Sequence, residues 1–327
     1  MPKKVTITDI ANLVGVSKAT ISYYLNGNTH KMSLETREKI RQTIEATGYQ
    51  PNKIARSLVT KDTKTIGVVI ADITNPFISS VIKGITDTCT SKGYTVTFTN
   101  SDNQEEIEQE NIARLKQQNV SGIIIDTVDA NSPNISQLAF DKTVMVDRQA
   151  KKLRLDTVVS NNRESTVNFL REMKKAGYQE IYFVSFPIEG ISTREMRYQG
   201  FMEEVTEDSS HLLILEEPGV EKRIYDLIQK AKDKIAFFTM NGPTLLAFMK
   251  IVNKTSFRYP EDFGLGSYED LAWMDVLNPN VSCIRQDSYQ IGVLAARHLL
   301  AKLKKEKSSS SPKLLVVPSE SVIRNSF

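Results

Sequence analysis

VTITDIANLVGVSKATISYYLNGN, from Val5 to Asn28, decides how the rest of the chain is read. Thr6 or Thr8 is placed to cap a short helix in which Ile7, Ile10, Ala11 and Val14 recur at helical spacing. Gly15 then breaks that helix by supplying the positive backbone angle of a tight turn. Ser17 caps a second short helix, with Ala19 or Thr20, Ile21 and Leu25 available to pack on the first. Two short helices joined by a glycine-containing turn form a helix-turn-helix, the motif that lays its second helix in the major groove of DNA. Spacing alone leaves open an ordinary helical hairpin in an enzyme, so the flanking sequence has to decide.

A polar turn, Gly27 to Met32, leads into SLETREKIRQTIEATG, a helix capped by Ser33 and stopped by Gly48. Leu34, Ile40 and Ile44 are expected on its inner side, and Glu35 suits its positive end. Three short helices suffice for a head of about 50 residues, marginal in stability without support. PNKIARSL, Pro51 to Leu58, follows. Its few apolar residues cannot build a core, and an isolated helix this short is unstable in water, so a plain linker is the alternative reading.

From Thr65 the pattern changes to alternating strands and helices. IGVVIAD, YTVTFTNS, SGIIIDT, TVMVDR and TVVSNN read as strands, with helices over 75–94, 105–118 and 164–176. A second series follows: EIYFVSF, a helix over 194–205, LLILEE, a helix near 222–232, KIAFFTM, a helix from Thr244, and DFGLGSYED. Repeated strand-helix units imply parallel sheets covered on both faces, and two series imply two doubly wound subdomains. Ligands of such folds bind outside the carboxyl ends of the strands. Ser288 to Leu303 reads as an amphipathic helix, KKEKSSSSPK as a polar loop, and LLVVPSESVI as closing strand material.

Composition bounds the function. A chain of 327 residues suggests two or three folding units, and 40% hydrophobic with 25% charged residues is ordinary for a globular protein. No apolar run approaches the roughly 20 residues of a membrane span, and MPKKVTITDI lacks an apolar signal core, so a cytoplasmic protein is expected. Cys89 and Cys283 form no CxxC pair and read as reduced thiols. Residues 1–61 hold ten Lys/Arg against four Asp/Glu, whereas the remainder holds 32 against 35. A basic head on a slightly acidic body suits a phosphate-binding module attached to a small-molecule domain. His30, His211 and His298 lack metal-ligand spacing, and GLG at Gly264 to Gly266 is only a fragment of a dinucleotide fingerprint. No catalytic residue, metal or cofactor is expected.

The run from Val5 to Gly27 resembles the amino-terminal signature of the lactose-repressor (LacI/GalR) family of bacterial transcription regulators. The likeness continues through Ser33 to Leu58, in IGVVIADITNPF, and in GSYEDLAWMDVLNPNVSCIRQD and VPSESVIRNSF, so it spans essentially the whole chain. It implies a helix-turn-helix head at 1–49, a hinge helix and linker at 50–61, and a core at 62–327. The core would be of the periplasmic-binding-protein type I architecture, with a proximal lobe of 62–160 and 287–327 and a distal lobe of 161–286. The chain would be a homodimeric repressor of a carbohydrate operon, binding palindromic duplex operator DNA under control of a sugar or sugar-acid effector. The wording of ISTREMRYQGF and GSYEDLAWMDVLNP is closest to members that sense sugar acids such as ketodeoxygluconate. A corepressor-dependent regulator, or a sugar-binding or sugar-processing protein with an accessory head, are the alternatives.

The resemblance also assigns residues. Lys18, Ala19 and Tyr23 match positions that reach base edges, and Thr20, Ser22 and Asn26 match phosphate contacts. Tyr23 departs from the family, where arginine is usual, and a tyrosine cannot make arginine's bidentate pair with guanine. Asn52, Ala55 and Leu58 fall in the hinge, with Leu58 matching a leucine that wedges into the minor groove. For the cleft, Asn75, Phe77, Arg148, Asn161, Thr193, Arg197, Asn241, Glu269 and Gln286 fall at strand ends or crossovers. Amides, carboxylates and arginines suit hydroxyl-rich ligands, and Phe77 offers a ring to a sugar face. Arg148 and Arg197, with Arg194 close by in sequence, exceed what a neutral hexose needs and point to an anionic sugar derivative.

Overall fold

The computed structural model describes residues 5–50, 62–304 and 311–327. The chain divides into two compact units, Met1–Thr63 and Lys64–Phe327. The hinge residues Asn52, Ala55 and Leu58 lie outside the described residues.

In the first unit, α1 (Ile7–Val14) starts in a reciprocal capping box between Thr6 and Asp9 and ends at Gly15, φ 78°. Ser17 caps α2 (Lys18–Leu25) by accepting from the Thr20 N–H. Ser33 does the same for α3 (Leu34–Thr47) at Thr36, and Gly48 closes that helix with φ 60°. Ile10, Ala11, Ile21, Ile40 and Tyr49 form the small core, with Ile44 packed against it. Leu34, expected on the inner side of α3, is instead 81% exposed. It precedes Ile40 by six positions, about 240° round a helix of 3.6 residues per turn, so the two cannot share a face.

The second unit holds two six-stranded sheets. The first has the order β11 (Leu314–Val317), β5 (Asp156–Ser160), β4 (Thr143–Val146), β3 (Gly122–Ile125), β1 (Thr65–Ile70), β2 (Thr95–Asn100), all parallel. The second has the order β12 (Glu320–Val322), β10 (Ser282–Arg285), β9 (Gly264–Tyr268), β8 (Ile235–Thr239), β6 (Glu180–Ser185), β7 (Leu212–Ile214). Among the described residues only β12 runs antiparallel, against β10. The inner strands are buried almost throughout, because helices cover both sheet faces and alternation has no place there. Among the described residues no helix is long and apolar enough to cross a membrane.

Two details differ from the sequence reading. VSCIR, absent from the expected strands, forms β10. The tail, expected with the proximal lobe as part of 287–327, divides at residues 318–319: β11 stays in the first sheet and β12 joins the second. Ser326 fixes that second assignment, since its Oγ accepts from the Ser282 N–H and donates to the Leu265 carbonyl, while Phe327 packs edge-on against Phe169. Three crossovers therefore join the lobes, near Asn161, Gln286 and Ser319.

The first lobe closes through a helix crossing. α4 (Pro76–Ser91), with Asn75 as its cap, packs on α11 (Ser288–Leu303) at a point where both carry glycine. A Cβ on Gly84 would lie 2.2 Å from the Tyr289 carbonyl oxygen, and one on Gly292 would lie 2.1 Å from that of Val81. Neither backbone oxygen can swing aside. Gly84→Ala and Gly292→Ala should therefore each cost about 3 kcal/mol or more, at or beyond the upper range for overpacking a core. Denaturant unfolding checks this, and a midpoint matching wild type for either variant would show that the helices separate without cost.

Candidate functional site

On α2, Ile21 is buried and Tyr24 and Leu25 pack into the head's core, which turns Lys18, Ala19 and Tyr23 outward. Ala19, Tyr23 and Asn26 follow at i, i+4 and i+7 and form one exposed stripe, with Ser22 beside it. Tyr23 is 39% exposed and so is not a core residue. Asn26 donates through Nδ2 to the Ser22 carbonyl, and the hydroxyls of Thr20 and Ser17 pair at 3.0 Å. The helix carries no carboxylate. A short helix with an open face and no acidic side chain is what a groove lined by phosphates requires.

In the second unit a narrow cavity of about 40 Å³ opens where the two sheets present their carboxyl ends to each other. Seven of the nine expected cleft residues line it: Asn75, Phe77, Arg148, Thr193, Arg197, Asn241 and Glu269. Asp147, Ile191, Arg194 and Met240 complete the wall. Asn161 and Gln286 lie instead in the crossovers, where the Asn161 Oδ1 accepts from the Ser319 N–H and the Gln286 Oε1 accepts from the Ser160 Oγ. The Gln286 Nε2 is buried without a hydrogen-bond partner.

Several of these residues also build the fold. Asn75 caps α4 by accepting from the Phe77 N–H, and Phe77 belongs to the first lobe's core at 4% exposure. Asn241 caps α10 (Gly242–Val252) through the Thr244 N–H and Oγ1. Glu269, left-handed at φ 77°, accepts from the Gly242 N–H at 3.0 Å. Arg197, on α8 (Ser192–Glu204) and 3% exposed, is the most heavily bonded. Its Nε donates to Asn162 Oδ1 at 2.8 Å, Nη1 to the Met240 carbonyl at 2.9 Å and Nη2 to Gln286 Oε1 at 3.4 Å. Its guanidinium lies 3.6 Å from the centre of the Tyr268 ring.

Two carboxylates that sequence reasoning missed bear on the site. Asp147 and Asp126 end VMVD and IIID, and a strand-terminating aspartate gives no local sign of function. Burial pushes Asp126 up to about 7 against the pull of Arg148, whose Nε is 3.9 Å away, and one of its oxygens has no hydrogen-bond partner. Burial raises Asp147 as well, with Arg197 and Arg148 opposing. Glu269 is pushed up to about 7 by burial, although Arg197 and the Gly242 N–H favour its charged form.

A carboxyl raised from its ordinary 4.5 binds its proton more tightly folded than unfolded. The stability it contributes is full below the unfolded value and is lost as pH rises through the folded one. Glu269→Gln, which keeps the acceptor for Gly242, should therefore melt close to wild type at acid pH and above it at mildly alkaline pH. Thermal melts of the ligand-free protein between those limits test this, and parallel pH profiles would refute it.

Comparison with known proteins agrees with both units. Residues 6–52 match the bacterial regulatory proteins of the lacI family. Residues 63–240 match the periplasmic binding proteins and sugar binding domain of the LacI family, and residues 170–327 a periplasmic binding protein-like domain. The HTH-type transcriptional regulator KdgR of Bacillus subtilis is 29% identical, over 98% of this chain and 97% of that protein. PtxS of Pseudomonas putida, also an HTH-type transcriptional regulator, is 29% identical over 94% and 92%. Among solved structures, the lac repressor dimer bound to operator and the anti-inducer ONPF superposes with a TM-score of 0.82 at 19% identity, covering 99% of each chain. The complex of the regulator CelR with cellobiose gives 0.71 at 20% identity, covering 99% of this chain and 100% of that one. With its head matched to one family description and more than half its length to the sugar-binding domain of the same family, the chain belongs to the LacI family of bacterial regulatory proteins.

Proposed function

We propose that this regulator is a homodimeric, cytoplasmic repressor of a carbohydrate operon, released from its operator by an anionic sugar derivative. A hexonate or its keto-deoxy product is the first choice of effector, and a sugar phosphate the second. The observation that carries the reading is the clustering of Arg148, Arg194 and Arg197 around one small cavity. A neutral sugar needs hydrogen-bonding groups, which Asn75, Asn241 and Glu269 supply. Three guanidiniums lining one partly buried cavity favour an anion.

The protein would act by binding rather than catalysis. Lys18, Ala19 and Tyr23 would reach base edges, and Thr20, Ser22 and Asn26 the phosphates, with two copies reading the halves of a palindrome. Asn52, Ala55 and Leu58 would complete the DNA contact, Leu58 as a minor-groove wedge whose cost in unstacking is recovered by the bend. Effector bound between the lobes would shift their arrangement, unpair the hinges and lower operator affinity.

Selection of binding sites from a random duplex pool, followed by titration with salt, tests the reading. A palindromic consensus bound with steep salt dependence and released by a hexonate supports it. Binding without sequence preference, or release by a neutral sugar alone, overturns it. The same selection separates the roles of α2. Tyr23→Arg should change the preferred consensus rather than weaken all sites together, and identical consensus sequences from the two proteins would remove Tyr23 from the base-reading set.

A further inference from the structure

The three cleft arginines are not equivalent, and a count of their donors separates them. A guanidinium carries five N–H groups and no acceptor, so each nitrogen must find a partner or remain available. Arg197 has all three nitrogens engaged and its face covered by Tyr268. Arg148 donates through Nη1 to the Val128 carbonyl and through Nη2 to Asn103 Oδ1, with its Nε facing Asp126. Arg194 donates through Nη1 to the Pro187 carbonyl. Among the described residues its Nε and Nη2 have no partner, and it forms no ion pair.

Arg194 nonetheless lines the cavity, half-buried, and its two unpartnered nitrogens remain accessible to a ligand. Burial, then repulsion from Arg148 and Arg197, pulls its pKa down to about 10, while Glu216 acts on it only at longer range. Guanidiniums gathered at one cavity repel one another, and an anion entering between them relieves that repulsion. Its position in the first turn of α8 adds the positive end of a thirteen-residue helix to the same field. The remaining walls differ in character. Asp147 and Glu269 offer only acceptors when ionised, which suit hydroxyls and repel an acid group.

Building on the anionic-effector reading, we propose that Arg194 anchors the effector's acid group in a fork of Nε and Nη2, while Asp147 and Glu269 take its hydroxyls. Arg197, which lines the same cavity, also holds Asn162, the Met240 carbonyl and Gln286 in place, and the effector enters with a fixed polarity. Selectivity for acids over neutral sugars resides at position 194.

Calorimetric titration of the full-length protein with gluconate, 2-keto-3-deoxygluconate, glucose 6-phosphate and glucose tests this in wild type, Arg194→Gln and Arg194→Lys. The gluconate-type acids and the phosphate ester distinguish the two sources of anion. Arg194→Gln should weaken the acid that wild type binds by roughly 10- to 100-fold, as expected for a lost charge-assisted pair, and leave glucose unchanged. Arg194→Lys should recover part of the loss, since it restores charge without the fork. Melting temperatures of the ligand-free variants separate this from misfolding, and a folded Arg194→Lys carries the test if the glutamine variant is unstable. Acid binding by Arg194→Gln within about twofold of wild type overturns the assignment to Arg194 and leaves the anionic-effector reading standing. Wild type that binds glucose and none of the acids overturns that reading and this inference together.

Discussion

The backbone contact between α4 and α11 at Gly84 and Gly292 is the constraint on which the core's architecture depends. α4 follows the first strand of the first sheet, whereas α11 enters only after the whole second sheet except β12 has been laid down. Their close approach returns the chain to its starting lobe and makes residues 161–286 an insertion between β5 and α11. Apolar side chains could hold two helices together at many distances. Two opposed glycines set one, with Ile85, Ile291 and Ala295 sealing the surrounding core. Since the first sheet lies beneath these helices, the same contact also places Asn75, the cap of α4, and the strand ends that carry Asp126 and Asp147.

The cleft chemistry follows from that placement. Parallel strands of both sheets end at the cavity, so polar side chains gather there while the strands themselves remain apolar. Burial then sets their charge. It drives Glu269 and Asp126 up to about 7 and weakens the proton's hold on Arg194. Burial disfavours the charged form of these carboxyls, so they oppose the arginines less strongly than exposed carboxylates would. Desolvation thus tempers charge of both signs at the site, and a ligand that restores a partner to either sign is favoured there.

Much of this was legible in the residues. Thr6, Ser17 and Ser33 announced the three helix starts, and Gly15 and Gly48 two of the stops, because capping is local chemistry. Continuous apolar runs such as IGVVI and AFFT gave the buried strands. Helix α8 began two residues before its expected start, since Ile191 supplies no side-chain cap to mark it. β10 escaped notice because VSCIR has one polar and one charged residue in five and no turn signal beyond it. The sheet chosen by β12 is decided by Ser326 reaching Ser282 and Leu265, contacts more than 40 positions away. Arg197 is legible as a cleft residue, but its bonds to Asn162, Met240 and Gln286 depend on three distant segments meeting, and no local pattern encodes that.

Arg197 also links the cavity to the joint between the lobes. The cavity of about 40 Å³ is far smaller than the roughly 300 Å³ at which ligand pockets begin, and the Gln149 N–H donates across to Ser192 Oγ at 2.9 Å. A sugar-sized effector must part the lobes, and the chain allows that only at the three crossovers. Those crossovers are tied to one another, Asn161 to Ser319 and Ser160 to Gln286, so they turn as one joint rather than three. Gln286 belongs to that joint and to Arg197 at once. An effector that perturbs the guanidinium therefore acts on the joint directly. It can shift the balance of lobe arrangements only by as much as its contacts differ between them, so an acid group held from one lobe and hydroxyls held from both would give the ligand leverage that a single-lobe contact lacks.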